Sequence, residues 1–533
     1  MTLGAPPLPV IDLFAGPGGL GEGFSALSCL RERAFRVALS IEMEDYAHQT
    51  LELRSFFRQF TNGKVPTAYY RFLRGEISRE DLFESWPAEA TTARKEAWKA
   101  ELGTIPASEV DRRIRRALDG RQDWVLCGGP PCQAYSIVGR SRNRGIRPKD
   151  HRLFLYREYL RILAVHSPPL FIMENVKGLL SSEVRGDGIF HRMIQDLKDP
   201  AAAESTVQPG RRTRYHILSF VNPPSAYDLD GFPVFDPRDF VIRCEDYGVP
   251  QTRHRVILLG IREDLSGNPV RLLKKVSRVV SAAEALKGLP RIRSGLTRTP
   301  DGPAEWRAAL ETILSPGILR GLPAQLERTM RSSLSSIIDG LAMPQAGRGS
   351  EFIPWEVRTT DFEPDWFLDP RIGGVCNHSS RPHMQSDLLR YLYSACYGKL
   401  MLRSPELRDF PPALLPAHRN LGVRGKEEYF DDRFRVQLAG RPATTITSHI
   451  AKDGHYYIHF DPTQCRSLTV REAARLQTFP DNYLFCGPRT HQYRQVGNAV
   501  PPLLARQVAA IVLGILKGSG ETLLPEMSER AAG

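Results

Sequence analysis

Short apolar runs, each closed by a turn or followed by a stretch of helical period, organise the first half of the chain. Val10-Ile11-Asp12-Leu13-Phe14 is such a run and reads as a buried strand. The glycine-rich turn from Gly16 to Gly23 follows and leads into a helix through Leu30. A second run, Arg36-Val37-Ala38-Leu39-Ser40-Ile41, ends at Glu42 and completes an opening βαβ unit. Further strands are predicted at Asp123–Cys127, Leu170–Met173 and Arg255–Gly260, with a helix over Leu153–His166. Strands alternating with helices in this way predict a doubly wound α/β domain.

Between Leu51 and Gly120 the chain becomes charged and helix-prone without a catalytic pattern, so residues 51–120 read as a helical insertion. From Leu265 to Thr445 periodicity weakens and Pro, Gly and Arg are frequent, which predicts a second, smaller, loop-rich lobe. Pro501–Leu516 is an apolar helix expected to return to the first domain. The division expected is 1–264 for the first domain, 265–492 for the second lobe and 493–533 for the returning segment.

A chain of 533 residues has room for more than one lobe. Lys and Arg outnumber Asp and Glu by 72 to 60, a formal charge of +12, which suits a polyanionic partner as readily as a generally basic surface. The eight cysteines are scattered without a CxxC pair, which argues for reduced thiols in a cytoplasmic setting and against a structural metal. No apolar stretch reaches the roughly 18 residues of a membrane span, and the N-terminus lacks a signal-peptide layout. Neither a membrane nor secretion is expected.

Three constellations carry candidate chemistry. Gly16-Pro17-Gly18-Gly19-Leu20-Gly21 satisfies G-x-G-x-x-G between a strand and a helix, and Glu42 ends the next strand, where an acid binds ribose hydroxyls. The pattern suits NAD or S-adenosylmethionine equally. Gly128-Gly129-Pro130-Pro131-Cys132-Gln133 follows a buried strand directly, which puts Cys132 at a carboxyl end, where open α/β sheets place ligands. Glu174 ends another strand, and Gln251-Thr252-Arg253-His254-Arg255 enters a third, so that alternation points Arg253 and Arg255 to one face. A buried thiol, a capping acid and a surface arginine pair would explain each alone; together they put a thiol, a carboxylate and guanidinium groups at one sheet edge.

On these residues the chain resembles the DNA (cytosine-5) methyltransferases of bacterial restriction-modification type. The resemblance rests on Asp12-Leu13-Phe14-Ala15-Gly16-Pro17-Gly18-Gly19, Gly129-Pro130-Pro131-Cys132-Gln133, Glu174-Asn175-Val176 and Gln251-x-Arg253-x-Arg255. It continues through Arg471-Glu472-Ala473-Ala474-Arg475-Leu476-Gln477 with Phe479-Pro480, and Gln495-Val496-Gly497-Asn498-Ala499-Val500-Pro501-Pro502. It implies a Rossmann-like methyltransferase domain with a target-recognition lobe. It further implies S-adenosylmethionine as methyl donor, no metal, and double-stranded DNA as substrate, with the target cytosine flipped out. Cys132 would be the nucleophile, Glu174 the acid on the ring, Arg255 the support of the cytosine oxygen, and Arg253 a support for the Cys132 loop or a phosphate. Phe14, Ala15, Gly16, Gly18, Gly19, Glu42, Met43, Pro131, Leu153, Asn498 and Val500 would surround the cofactor.

The family has an acid contacting the adenine; Leu102-Gly103-Thr104-Ile105 offers Thr104 there, and Gly75-Glu76-Ile77 keeps an acid far from the Pro-Cys motif, so that contact is unassigned. Gln133, Ser136, Arg140, Arg142, Arg144 and Arg147, beside the nucleophile, are expected to meet DNA through a mobile basic loop. A cognate restriction endonuclease is an expected functional partner, and the chain is expected to act as a monomer. A transfer-RNA cytosine-5 methyltransferase is the alternative; a non-catalytic DNA-binding regulator and an NAD oxidoreductase explain fewer of the motifs.

Overall fold

The computed structural model describes residues 6–29, 32–60, 64–130, 151–181, 183–184, 187–204, 213–356, 360, 362–416 and 433–518. Its main strands are β1 (Leu8–Leu13), β2 (Phe35–Glu42), β3 (Ala97–Lys99), β4 (Val125–Gly128), β5 (Leu170–Val176), β6 (Tyr215–Ser219), β7 (Val241–Arg243) and β8 (His254–Arg262). They form one sheet in the order β6-β8-β5-β4-β1-β2-β3, with β7 also paired to β8. Strands β1 to β5 run parallel, whereas β8 runs antiparallel to β5, β6 and β7. The sheet is therefore mixed, and β8 brings its first residues to the carboxyl end of β5.

Helices cover both faces. Alternate residues of β1 feed two cores: Val10 packs with α1 (Gly19–Ala26), and Ile11 and Leu13 pack with α3 (Ala107–Leu118) and α4 (His151–His166). A strand buried on both faces has no polar face to show, which is why β1, β4 and β5 read as continuous apolar runs. Between β2 and β3, α2 (Asp45–Arg58) starts at Glu44, whose side chain accepts from the Ala47 amide.

Residues 51–120 depart from the expected helical insertion. They contain β3, the edge strand of the main sheet, and α3, which packs on the same sheet as a regular crossover helix. Three residues of strand inside a charged stretch leave no periodic signal. The helices between α2 and β3, Thr67–Leu73, Arg79–Ser85 and Pro87–Glu96, share a core with Ile372 and Cys376 of the second lobe.

The second lobe is more helical than its sequence suggested. It contains α5 (Pro303–Glu311), α6 (Ala324–Asp339) and α7 (Gln385–Met401) around a core with Trp306, Met330, Leu334, Ile338 and Tyr391, beside a hairpin of β9 (Gly349–Pro354) and β10 (Gly374–Ser379). Met330, Leu334 and Ile338 recur every fourth residue, but the Arg and Ser between them masked the stripe. The two lobes meet where Gln251–Thr252 pairs in parallel with Ala443–Thr444. Beyond that seam, α8 (Val470–Leu476) and α9 (Arg489–Asn498) lead into α10 (Pro502–Leu516), which packs along α1. The helical stretch Arg489–Leu516 is long and apolar enough to cross a membrane, but most of its apolar part is buried in this core, as the returning helix of a packed domain requires.

At the start of α8 a buried charge network fixes the Arg471-Glu472 segment. Thr469 and Glu472 form a capping box, and Glu472 takes both ends of the Arg466 guanidinium at 2.6 Å. Burial works to raise the Glu472 carboxyl, but Arg466, His459 and His378 outweigh it and hold the carboxyl well below its usual range. Burial lowers both His378 and His459 to about 4. The signs agree: the Glu472 contribution is lost as pH falls below the unfolded value of 4.5, and the unfolded chain gains histidine protons as pH falls from 6.5 towards 4. The urea midpoint is therefore expected to drop from about pH 7 to about pH 5, with His459→Gln flattening that drop. Glu472→Gln is expected to cost about 3–5 kcal/mol at neutral pH by leaving a buried arginine without its partner. A pH-independent midpoint would contradict the assignment.

Candidate active site

Strands β5 and β8 meet in antiparallel register, with Ile257 opposite Glu174 and Arg255 opposite Val176. That register brings the Arg255 Nε to 2.9 Å from the Glu174 Oε1, with both side chains largely buried. The next strand, β4, ends beside them. A Cβ on Gly129 would lie 2.9 Å from the Glu174 Oε2, so any side chain there would push the carboxylate aside. Asn175 then donates from Nδ2 to the Pro130 carbonyl at 3.2 Å. The acid strand is thus tied directly to the last described residue before Pro131 and Cys132.

Pro131, Cys132, Gln133, Ser136, Arg140, Arg142, Arg144 and Arg147 lie outside the described residues. Leu153 falls in α4, where only its backbone is described.

Of the two roles expected for Arg253, support of the Cys132 loop falls on residues outside those described, and contact with a phosphate does not fit its burial. Arg253 precedes β8, its side chain is fully buried, and its guanidinium donates to the carbonyls of Ile446 at 2.6 Å, Gly497 at 3.1 Å and Ala499 at 2.9 Å. Burial, and Arg255 close by, draw it down to about 9. A guanidinium enclosed in this way meets no phosphate; it joins the first domain to the second lobe and to the segment before α10. Gln251 reinforces the joint, donating to Gln477 Oε1 at 2.6 Å and accepting from the Ile446 amide at 2.7 Å.

The glycine turn lies at the carboxyl end of β1. Gly16 and Gly18 have φ values of 57° and 93°, a left-handed path that glycine adopts without strain, and Phe14 before them sits at φ 55°. A Cβ on Gly19 would fall 2.2 Å from the Val500 carbonyl oxygen, so the turn and the segment before α10 touch backbone to backbone. The Gly16 amide donates to Glu42 Oε2 and the Glu44 amide to Glu42 Oε1, each at 2.8 Å. Burial raises the Glu42 carboxyl, and these amides oppose the rise. Ala15 donates to the Ile41 carbonyl at 3.0 Å, Met43 is exposed beside Glu42, and Asn498 is exposed at the end of α9. Phe14, Ala15, Gly16, Gly18, Gly19, Glu42, Met43 and Val500 are therefore gathered around the carboxyl ends of β1 and β2, with Asn498 two residues before Val500 in the chain.

The adenine alternatives separate here. Glu76 is held by Arg71 and Arg74 on the surface of the inserted helices, whereas Ala100 donates to the Glu42 carbonyl at 3.0 Å and leads to Thr104. Thr104 Oγ1 donates to the Glu101 carbonyl, so an acid passed over in the sequence, Glu101, occupies the turn beside Glu42. Recognising β3 was the signal that would have found it. Among the described residues no cluster of His, Cys, Asp or Glu has the arrangement of a metal site.

A family model for C-5 cytosine-specific DNA methylases matches residues 85–200, 237–296 and 408–513, which include the β4 end, the Glu174 strand, the Arg255 strand and α8 to α10. The chain is 31% identical to the type II methyltransferase M.Bpa9945I of Bacillus paralicheniformis, over 96% of this chain and 99% of that protein. The chain belongs to the C-5 cytosine-specific DNA methylase family. It is 27% identical to the DNA (cytosine-5-)-methyltransferase M.ApeKI of Aeropyrum pernix over 78% of this chain and 87% of that one. A similar 27% relates it to the type II methyltransferase M.DdeI of Desulfomicrobium norvegicum over 94% and 87%. The methylase is thus a DNA (cytosine-5-)-methyltransferase.

In this methylase Arg253 should act first on the structure. Arg253→Met fills similar volume without donors and strands carbonyls that are buried at the lobe junction. Gln477 also donates to the Ala499 carbonyl, so the Ile446 and Gly497 carbonyls lose their donor, and the change is expected to cost at least about 2 kcal/mol in urea unfolding, at about 1–3 kcal/mol per unsatisfied group. A loss below about 1 kcal/mol would show that the joint lies elsewhere.

Proposed function

We propose that this methylase transfers a methyl group from S-adenosylmethionine to carbon 5 of a cytosine flipped out of double-stranded DNA, through a covalent Cys132 adduct. The observation that carries the reading is the meeting of Glu174, Arg255 and the Pro130 end of β4 at one sheet edge. Cytosine carbon 5 is a poor nucleophile. A thiolate adding at carbon 6 pushes an electron pair to carbon 5, which then takes the methyl group; loss of the carbon 5 proton and expulsion of the thiolate restore the ring and the enzyme. Glu174, protonated, hydrogen-bonds ring nitrogen 3 and the exocyclic amine and stabilises charge as the thiolate adds. Arg255 orients Glu174 and holds the cytosine oxygen.

S-adenosylmethionine supplies the methyl group when bound. The glycine turn fits it: Leu51 and Tyr483 at Gly18, and the Val500 backbone at Gly19, occupy the space where a Cβ would stand, and Glu42 keeps lone-pair capacity for a ribose hydroxyl. Phe14, Ala15, Gly16, Met43, Pro131, Leu153, Asn498 and Val500 line the remainder, and Glu101 takes the adenine contact left open by Thr104. The basic segment after Cys132, with Arg140, Arg142, Arg144 and Arg147, closes on the DNA, and the lobe within residues 265–492 reads the sequence in the major groove. By likeness to type II methyltransferases the enzyme modifies the site of a restriction endonuclease. The transfer-RNA alternative loses ground, because the matched family and the named relatives are DNA enzymes.

Base-resolution methylation mapping of DNA from cells expressing the parent, Cys132→Ser and Glu42→Ala chains tests the reading. The parent is expected to leave 5-methylcytosine at one consensus, and Cys132→Ser none. Glu42→Ala is expected to weaken S-adenosylmethionine binding by calorimetry without changing DNA affinity. Methylation by the Cys132→Ser chain, or methylation confined to RNA, would overturn it.

A further inference from the structure

A wall of arginines stands on the second lobe beside the seam with the first domain. Arg489, at the start of α9, donates from Nη1 to the Ser380 carbonyl at 2.8 Å, and the Ser380 amide donates to the Arg348 carbonyl at 2.9 Å. Arg381, the next residue, lays its guanidinium 4.3 Å over the ring of Tyr493, one helical turn along α9 from Arg489. Three guanidinium-bearing residues therefore meet around one short loop.

Their charge is only partly matched by acids. Among the described residues Arg381 and Arg489 have no carboxylate at ion-pair distance; each is bonded to a backbone carbonyl, Arg381 to that of Ile450. Arg348 has Asp301 at 2.7 Å, but the same carboxylate serves Arg293 at 2.6 Å. A guanidinium carries five donors. Arg381 and Arg489 are half-buried, and none of their nitrogens is buried without a partner, so their remaining donors face solvent. Burial lowers the Arg489 guanidinium, Arg381 and Arg348 add to the lowering, and Tyr493 and Glu351 oppose it without reversing it. Such a cluster is costly unless an anion completes it.

The wall is continuous with the active-site edge. Ile450 lies in the turn Ser448–Ala451, which follows directly from Thr445 and Ile446. Thr445 donates to the Thr252 carbonyl at 2.5 Å, and Ile446 receives Arg253. Exposed His449 lies in the same turn and exposed Lys452 follows it.

We propose that Arg381 and Arg489, with Arg348 beside them, seat a phosphate of the DNA backbone next to the flipped cytosine. The proposal rests on the reading of the enzyme as acting on duplex DNA. A seated phosphate accepts several guanidinium donors at once and supplies the missing negative charge, which fixes register on the duplex without reading sequence.

The test is the salt dependence of binding to a fluorescent duplex carrying the mapped consensus and to one lacking it. Each phosphate contact contributes about 0.9 to the slope of log affinity against log salt. The Arg381→Gln, Arg489→Gln double variant is expected to lower affinity for both duplexes by similar factors, about three- to thirtyfold, and to reduce the slope by about 1. Arg381→Lys with Arg489→Lys keeps the charge and is expected to restore most of the slope. Arg112→Gln, on the exposed face of α3, is expected to leave it unchanged. S-adenosylmethionine binding by the double Gln variant at the parental level confirms a folded protein; if that binding is lost, the slope is read from the separate Arg381→Gln and Arg489→Gln chains. A slope equal to the parent's in the Gln variants would overturn the inference alone, whereas a parent that binds neither duplex would overturn the DNA reading itself.

Discussion

The Arg253 guanidinium, fully buried, donates to the carbonyls of Ile446, Gly497 and Ala499, and most of the functional edge follows from that bond set. It fixes the start of β8, so that Arg255 emerges against Glu174 in the β5–β8 register. It also fixes the segment before α10, whose Val500 carbonyl packs on Gly19. One cation thereby sets the distance between the acid, the glycine turn and the second lobe. The cost of burying it is visible in its lowered pKa, and the three carbonyls offset part of that cost.

The site therefore has two halves that share a support. On one side Glu42 is held by the Gly16 and Glu44 amides, a fixed carboxylate at the end of β2. On the other, Glu174 is paired with Arg255, and the strand carrying it is tied through Asn175 to Pro130. Both belong to strands whose ends are packed on both faces, so neither carboxylate can drift without disturbing a core. The arrangement suits chemistry that needs a donor molecule and a planar ring held at one sheet edge.

What the sequence made legible was the part where chemistry constrains residue type and spacing. The turn after β1, the strand ending in Glu174 and the Arg255 strand could be read because glycine, acid and arginine are each required by geometry there. The roles of β3, α6 and α7 could not. β3 is three residues long inside a charged stretch, and its place at the sheet edge depends on pairing with β2, a tertiary contact that leaves no local trace. Glu101 was missed with it. In α6 the apolar stripe is carried by Met330, Leu334 and Ile338 alone, diluted by polar neighbours. The full burial of Arg253 was not legible either, because it is set by contacts with Ile446, Gly497 and Ala499 that lie far along the chain and leave no local trace.

The central claim is that this edge supports nucleophilic addition by Cys132. A duplex carrying 5-fluorocytosine at the target position tests it most directly, because fluorine at carbon 5 cannot leave as a proton does and the adduct is held. With S-adenosylmethionine present, the account predicts a complex that survives denaturation, with mass spectrometry placing the nucleotide on the peptide containing Cys132. Absence of any adduct from a chain that methylates ordinary cytosine, or an adduct on another cysteine, would contradict it.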